Sequence, residues 1–451
     1  MEEKRSSFSG KLGFVLAAAG SAVGLGNLWR FPYLAAQHGG GIFILVYIIL
    51  ALTFGFSLLL MEISIGRKTK QSSITAYKKL NKKFGFLGYI AALVPILILP
   101  YYCVIGGWVL KYCCTYFTGQ GIKAAEETYF GSFISGTSAP MIFFIIFLVL
   151  TLLVVLGGVQ KGVELASKIL MPVLLVIIVG ISIYVFTIPG ALEGVRYYLL
   201  PDFSNFSIST VCAAMGQLFF SMSIAMGIMV SYGSYVKDDI SLIGCVNQIE
   251  IFDTAVALLS GFIIVPVVFV FSGEAGLATG GAGLMFETLP VVFKDMPFGN
   301  VIGAVFFVLV LFAALTSSIS IMEAIVSMIM DRFKLKRWVT VLITAGITVV
   351  LGLPSALGYG LLGNINPLGM DFLTFFDYLS NSVMMPVVAL LTCILVGWVC
   401  KTKVIEDEIT KNGEKFSRRI IFRIMVKYIA PICLIAILVY YTLAQFGLVK
   451  Y

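Results

Sequence analysis

The stretch Ala19-Gly20-Ser21-Ala22-Val23-Gly24-Leu25-Gly26-Asn27 decides how the rest of the chain is read. It lies inside an apolar run that extends from about residue 11 to residue 36. Its glycines and its asparagine weaken a helix that has no evident need of them. Each interior glycine costs about 0.5–1 kcal/mol relative to alanine. Gly20-x-x-x-Gly24 is also the small-residue pattern that lets two membrane helices pack closely, but close packing does not explain Asn27. A second stretch, Phe219-Phe220-Ser221-Met222-Ser223-Ile224-Ala225-Met226-Gly227, interrupts another apolar run near mid-chain. Backbone unwound at membrane depth persists only where it is buried in protein or lines a cavity. Its freed carbonyls are hard oxygen ligands, and its freed N–H groups attract anions.

Composition sets the solvent. Of 451 residues, 59% are hydrophobic and only 12% are charged, which excludes a soluble globular chain of this length. Apolar runs near bilayer-crossing length recur eleven times, at roughly 11–36, 41–66, 87–116, 139–156, 165–188, 209–236, 242–272, 299–331, 337–357, 374–400 and 420–447. Met1 to Ser9 is too polar and too short for a cleavable signal, so the first span is expected to remain. The net charge of +8 does not point to nucleic acid, because it is unevenly placed. Lysines and arginines crowd three loops, at 67–83, 332–337 and 401–419, whereas the loops on the other side carry Lys123, Arg196 and Lys294. The positive-inside pattern puts the N-terminus in the cytoplasm and Tyr451 outside a plasma (inner) membrane. None of the eight cysteines has metal-ligand spacing, and a disulfide framework is not expected. The single histidine, His38, reads as a surface or cavity-rim residue. Zinc hydrolase and ATPase chemistry have no support, and no nucleophile–base pair suggests an enzyme.

Within the spans, a few polar residues stand out. Arg30 follows the first broken stretch and needs a partner so near the membrane interior. Glu62 sits deep in span 2, where a carboxylate costs about 2.5–3.5 kcal/mol. Unwound backbone would supply donors for it; the alternative is simple contact with water at the cytoplasmic end. Tyr101-Tyr102 follow Pro95 and Pro100 in span 3, and a tyrosine hydroxyl facing a midplane site donates to a carboxylate. Gly162 and Pro172 permit either local unwinding or a static kink in span 5. Asp253 lies in span 7 with no basic residue near it in sequence. Thr316-Ser317-Ser318 in span 8 cannot all face one way, and hydroxyls commonly return to their own helix. One adjacent pair is expected to face the broken part of span 1.

Spans 1–5 (residues 11–188) and 6–10 (209–400) form two halves, each opened by its broken helix. An odd number of spans per half forces opposite orientations. The fold class expected is therefore all-α: an inverted 5+5 repeat of transmembrane helices in a single domain, with an eleventh helix at 420–447. Broken helices at corresponding places in inverted halves mark the midplane binding site of a secondary transporter.

Ala22-Val23-Gly24-Leu25-Gly26-Asn27 through Arg30-Phe31-Pro32, Gly39-Gly40-Gly41, Gln217 to Gly227 with Ser234-Tyr235, and Thr316-Ser317-Ser318 resemble the neurotransmitter:sodium symporter family, in its bacterial eleven-span, amino-acid-transporting branch. The resemblance covers spans 1–10. It implies one sodium site from the Ala22 carbonyl, the Asn27 amide oxygen, Ser221 and Asp253, completed by the substrate carboxylate. It implies a second from the Gly20, Val23 and Ala313 carbonyls with the Thr316 and Ser317 hydroxyls. Sets of five or six mostly neutral oxygens suit a monovalent cation, whereas magnesium or calcium would want more carboxylates. The substrate carboxylate would meet the first sodium, the Tyr102 hydroxyl and the N–H groups around Leu25 and Gly26. Carbonyls of the unwound segments, with Ser21 and Ala22 beside them, would take the amino group. Ile98, Phe220, Ser223, Ala225, Met226, Ser317 and Ile321 would surround the side chain.

By the same resemblance Arg30 and Asp377 form an outer charged gate, with Gln217 beside them and Phe220 as a lid. Arg5 and Asp331 form the cytoplasmic gate, near Tyr235. Ala225 and Met226 stand where many relatives have glycine and an aromatic. The added methyl is expected to crowd the backbone beside the substrate, and methionine is adaptable. Both changes point to a neutral hydrophobic amino acid. Chloride-dependent relatives carry an amide at position 253 and a serine four residues on; here Asp253 and Ala257 imply that chloride is not needed. The partners implied are an amino acid, two sodium ions and the lipid bilayer, with the chain a monomer or weak homodimer. The rival reading is a membrane receptor that binds an amino acid without moving it. A channel is disfavoured by the mostly apolar midplane.

Overall fold

In lipid, every backbone polar group must be bonded within its own segment, so the apolar runs wind into helices. The structure, a computed structural model, describes residues 6–278 and 281–445. Helix accounts for 82% of it. Among the described residues nine helices are long and apolar enough to cross a membrane unbroken. They are Gly41–Thr69 (span 2), Lys82–Phe117 (3), Ser138–Leu156 (4), Val159–Val185 (5), Leu242–Gly273 (7), Gly299–Phe333 (8), Arg337–Leu357 (9), Phe372–Val399 (10) and Arg419–Gln445 (11). The other two crossings are the broken ones. Span 1 is a pair, Lys11–Ala22 (1a) and Gly26–Gln37 (1b), bent by 52°. Span 6 is Ile208–Ser221 (6a) and Ile228–Gly233 (6b), each too short to cross alone. The interruptions fall where glycines and hydroxyls replace apolar residues, and the order is five spans, five inverted spans and one more.

The two breaks differ locally. Span 1a stops at Val23, whose φ of −75° and ψ of 104° are extended, and the chain re-enters a helix at Gly26 through a wide turn. In span 6, Ser223, Ala225 and Gly227 all have positive φ, at 52°, 63° and 69°. Glycine tolerates this; the two residues with a Cβ each bear about 1–2 kcal/mol of strain, which neighbouring contacts must hold. Span 5 is wound throughout. A wide turn over Val159–Glu164 contains Gly162, and the helix Leu165–Val185 runs on through Pro172.

Backbone contact locks 6b to span 2. A Cβ on Gly66 would lie 1.9 Å from the Val230 carbonyl oxygen, and one on Gly233 would lie 2.3 Å from that of Ile63. At the face that carries the basic loops, Arg67 at the end of span 2 is buried against Glu408 at 2.7 Å and donates to the Ile240 carbonyl at 2.7 Å. Asp238 is held by Lys70 and Lys411, each at 2.8 Å. Glu406 takes Arg419 and Arg423 at 2.6 and 2.7 Å. The segment between spans 10 and 11 is thereby fastened to span 2 and to the loop after 6b.

Candidate functional site

A small cavity lies between the two breaks. Its wall includes Ser21, Ala22, Leu25 and Gly26 from span 1, Ile98 and Tyr102 from span 3, Phe220, Ser221, Ser223 and Met226 from span 6, and Ser317 and Ile321 from span 8. Gly24, absent from the expected set, also lines it. Close approach explains that glycine: a Cβ there would lie 2.5 Å from Ser317 Oγ and 3.1 Å from the Tyr102 hydroxyl. Ala225 is not in the wall. It is expected among the substrate contacts, with its methyl crowding the backbone beside the substrate. Its left-handed backbone instead carries its N–H to Glu62 Oε1, at 2.8 Å.

Glu62 is buried, with 1% of its surface exposed, so it does not simply rest in water at a helix end. One of its oxygens caps the unwound part of span 6. The Leu25 N–H points to the Tyr102 hydroxyl at 3.4 Å. Ser21 Oγ donates to Ser223 Oγ at 3.1 Å, and Ser223 Oγ donates to the Ser21 carbonyl at 3.0 Å, so the two breaks are tied hydroxyl to backbone.

Two clusters of buried oxygens flank the cavity. In the first, Asp253 is fully buried and accepts from Ser221 Oγ at 2.5 Å, Asn27 Nδ2 at 2.8 Å and the Tyr47 hydroxyl at 3.0 Å. The Asn27 amide oxygen accepts from the Gly24 N–H at 3.1 Å, so Asn27 presents its nitrogen to Asp253. In the second, Ser317 Oγ lies 3.4, 3.2 and 3.2 Å from the carbonyls of Gly20, Ser21 and Val23. Thr316 returns its hydroxyl to its own helix, at 3.1 Å from the Ala313 carbonyl, while its Cβ is 3.3 Å from where a Cβ on Gly20 would stand. Ser318 turns away to Thr151, at 2.8 Å. Thr316 and Ser317 are thus the adjacent pair on the side of span 1. Tyr47 was missed by the sequence reading; nothing in an apolar helix marks which tyrosine meets a carboxylate some 200 residues on.

The gate residues divide. Gln217 Nε2 donates to the Gly26 carbonyl at 2.9 Å. Phe220 borders both the central cavity and a second small one lined by Arg30, Asn381 and Tyr441. Its ring is the partition between them. The Arg30 guanidinium lies over that ring, 5.5 Å from its centre. Among the described residues Arg30 and Asp377 form no ion pair within 4 Å; Asp377 accepts from Tyr101 at 3.1 Å and Asn381 at 2.5 Å. The two residues of the expected outer gate thus take separate contacts, Arg30 over the Phe220 ring and Asp377 with Tyr101 and Asn381. Toward the basic face, Tyr235 donates to Glu323 at 3.0 Å, and Glu323 is gripped by Arg337. Asp331 accepts from the Ser72 N–H at 2.7 Å. Arg5, the expected partner of Asp331, lies outside the described residues.

Broken helices around a small cavity, in a bundle of membrane-spanning helices, are the arrangement of a membrane carrier. Residues 5–129 and 132–451 match the family model described as Sodium:neurotransmitter symporter family. An uncharacterized sodium-dependent transporter of Haemophilus influenzae is 32% identical over 97% of this chain and 98% of its own length. The sodium-dependent transporter YhdH of Bacillus subtilis is 33% identical over 97% of each. Among solved structures, MhsT in complex with L-phenylalanine superposes with a TM-score of 0.88 at 34% identity, over 97% of this chain and all of that one. The chain belongs to the sodium:neurotransmitter symporter family. It is a multi-pass membrane protein of a sodium-dependent transporter family.

Proposed function

We propose that the chain imports a neutral hydrophobic amino acid together with sodium, by alternating access and without chloride. The observation that carries this is the two-sided cavity. Ile98, Phe220, Met226 and Ile321 make one side apolar, and backbone groups of the two breaks with Tyr102, Ser221 and Ser317 make the other polar. An amino acid has the same division, a zwitterionic end and a side chain, and MhsT was solved with one bound.

The first sodium sits on the Ala22 carbonyl, Asn27, Ser221, Asp253 and the substrate carboxylate. A half-turn of the Asn27 amide exchanges its nitrogen for its oxygen and completes that set. Asp253 supplies the fixed negative charge; Ala257, fully buried four residues on, has no donor for an anion. The second sodium sits on the Gly20, Val23 and Ala313 carbonyls with Thr316 and Ser317. The substrate carboxylate takes the Tyr102 hydroxyl and the N–H groups of Leu25 and Gly26. Phe220 closes over it toward the outside. Spans 1, 2, 6 and 7 then rock against the rest, and the contacts of Arg30 and Asp377 exchange with those of Arg5, Tyr235 and Asp331. The basic loops face the cytoplasm.

Energy suffices. One charge crossing about 100 mV yields roughly 2.3 kcal/mol, and a tenfold gradient about 1.4 kcal/mol. Two sodium ions thus supply about 7 kcal/mol. The test is uptake into proteoliposomes, screened over the twenty amino acids with and without an inward sodium gradient. Sodium-driven accumulation of hydrophobic amino acids, unchanged when gluconate replaces chloride, is expected. Binding without accumulation would favour a receptor, and collapse in gluconate would overturn chloride independence.

A further inference from the structure

Near the basic face, spans 10 and 11 meet through two wide turns, Leu395–Val399 in span 10 and Met425–Ile429 in span 11. Such turns interrupt a helix's regular bonding and recur at functional sites. Gly397 lets the two helices touch there: a Cβ on it would lie 3.3 Å from both Lys427 Cγ and the Val426 carbonyl oxygen. The Trp398 indole N–H crosses the seam and donates to the Lys427 carbonyl at 3.1 Å.

This seam holds a cation with no counter-charge. The Lys427 ammonium lies over the Trp398 ring, 5.9 Å from its centre, and Tyr428 meets the same ring edge-on at 5.6 Å. Among the described residues Lys427 forms no ion pair within 4 Å. Glu406 cannot supply one, because Arg419 and Arg423 already hold it at 2.6 and 2.7 Å. The seam is open on its outer side, where Trp398 and Tyr428 are 56% and 51% exposed. Tryptophan and tyrosine at a span end mark the level of the lipid headgroups.

The charge around that level is one-sided. Lys401 and Lys403 follow span 10, Arg419 and Arg423 open span 11, and all four are exposed. Against these and Lys427 stand Glu406 and the exposed Asp407, since Glu408 is engaged by Arg67. A basic pocket between membrane helices at headgroup depth suits an anionic headgroup. Away from the basic face, Tyr428, Ile432, Ile435 and Val439 are exposed at helical spacing. Tyr428 to Val439 is eleven helical steps, about 16 Å, or half of a hydrocarbon core about 30 Å thick. That is the reach of one acyl chain.

We infer that the seam of spans 10 and 11 binds one anionic phospholipid, its phosphate against the Lys427 ammonium and an acyl chain along the Tyr428–Val439 face. A zwitterionic lipid brings its own ammonium and neutralises none of the positive surplus. None of these residues lines the central cavity, and the inference does not rest on the transport reading.

The test is native mass spectrometry of the full chain in detergent, titrated with phosphatidylglycerol or phosphatidylethanolamine. Wild type should retain one phosphatidylglycerol in preference to phosphatidylethanolamine. Lys427→Gln should weaken that retention roughly fivefold, the worth of one lysine near an anionic surface, and Lys427→Arg should restore it. Lys415→Gln, which removes an exposed charge from the loop between these spans, should leave it unchanged. Phosphatidylglycerol should also raise the melting temperature of wild type but not of Lys427→Gln, and inorganic phosphate should raise neither. Equal retention of the two lipids by wild type would overturn the site. So would full retention by Lys427→Gln, an equal loss in Lys415→Gln, or stabilisation by inorganic phosphate alone.

Discussion

Asp253 is the buried carboxylate on which the proposed sodium site rests. A bare carboxylate at this depth is costly, and here Ser221, Asn27 and Tyr47 hold it with three donated hydrogen bonds from spans 6, 1 and 2. Asp253→Asn keeps the shape and removes the charge. Hydrogen bonds to a charged group contribute about 1.5–3 kcal/mol, so sodium affinity should fall by roughly ten- to a hundredfold. Sodium titration of amino-acid binding measures this, and an unaltered midpoint would remove Asp253 from the ion site. The asparagine variant should also become sensitive to chloride, if charge balance is the role of this residue. Asp253, Asn27 and the hydroxyls of spans 6 and 8 were legible in the sequence because polar residues inside apolar runs are conspicuous. Tyr47 was not, since a tyrosine in a membrane helix ordinarily packs.

At the scale of elements, the short helix 6b depends on span 2. Glu62 caps its unwound approach, and Gly66 lets the Val230 carbonyl come within what would be 1.9 Å of a Cβ. Gly66→Ala sets a methyl against main chain, which no rotamer relieves. The cost should reach about 3 kcal/mol, read as a clear fall in melting temperature and loss of substrate binding. Melting and binding like those of wild type would show that 6b moves independently. The breaks themselves could be placed from Gly24, Gly26, Ser221 and Ser223. The direction in which span 6 unwinds could not. Three left-handed residues in five, two of them non-glycine, turn Ala225 away from the cavity, and no local propensity favours that conformation.

For the whole molecule, the basic face holds a fastening that the apolar pattern did not advertise. Arg67 and Glu408 are 1% and 7% exposed in their side chains and pair 341 residues apart in sequence. Glu408→Ala should cost about 3–5 kcal/mol, because it leaves a buried guanidinium short of a counter-charge. A melting temperature unchanged from wild type would contradict this. Glu406 gives a pH signature. Burial would raise its pKa, but hydrogen bonds from Arg423, Thr402 and Arg419 outweigh that and hold it at about 2 rather than 4.5. A depressed carboxylate stabilises the fold fully above its unfolded value. Its contribution should therefore be intact above about pH 4.5 and lost as pH falls toward 2, and Glu406→Gln should flatten that part of the profile. An unchanged acid limb in the variant would count against it.

The sequence by itself determined the membrane solvent, the recurring apolar spans, the two broken helices and the polar residues beside the cavity, while the apolar residues of its wall came from the family resemblance. It did so because a bilayer punishes each polar or flexible residue in a span, so those that persist mark a site. Only the tertiary structure decided which partners they take: Arg30 over Phe220, Asp377 with Tyr101, Ala225 with Glu62, Tyr47 with Asp253. Helices apolar all round carry no stripe that fixes their rotation. Side-chain pairing across the bundle is set when the helices pack against one another.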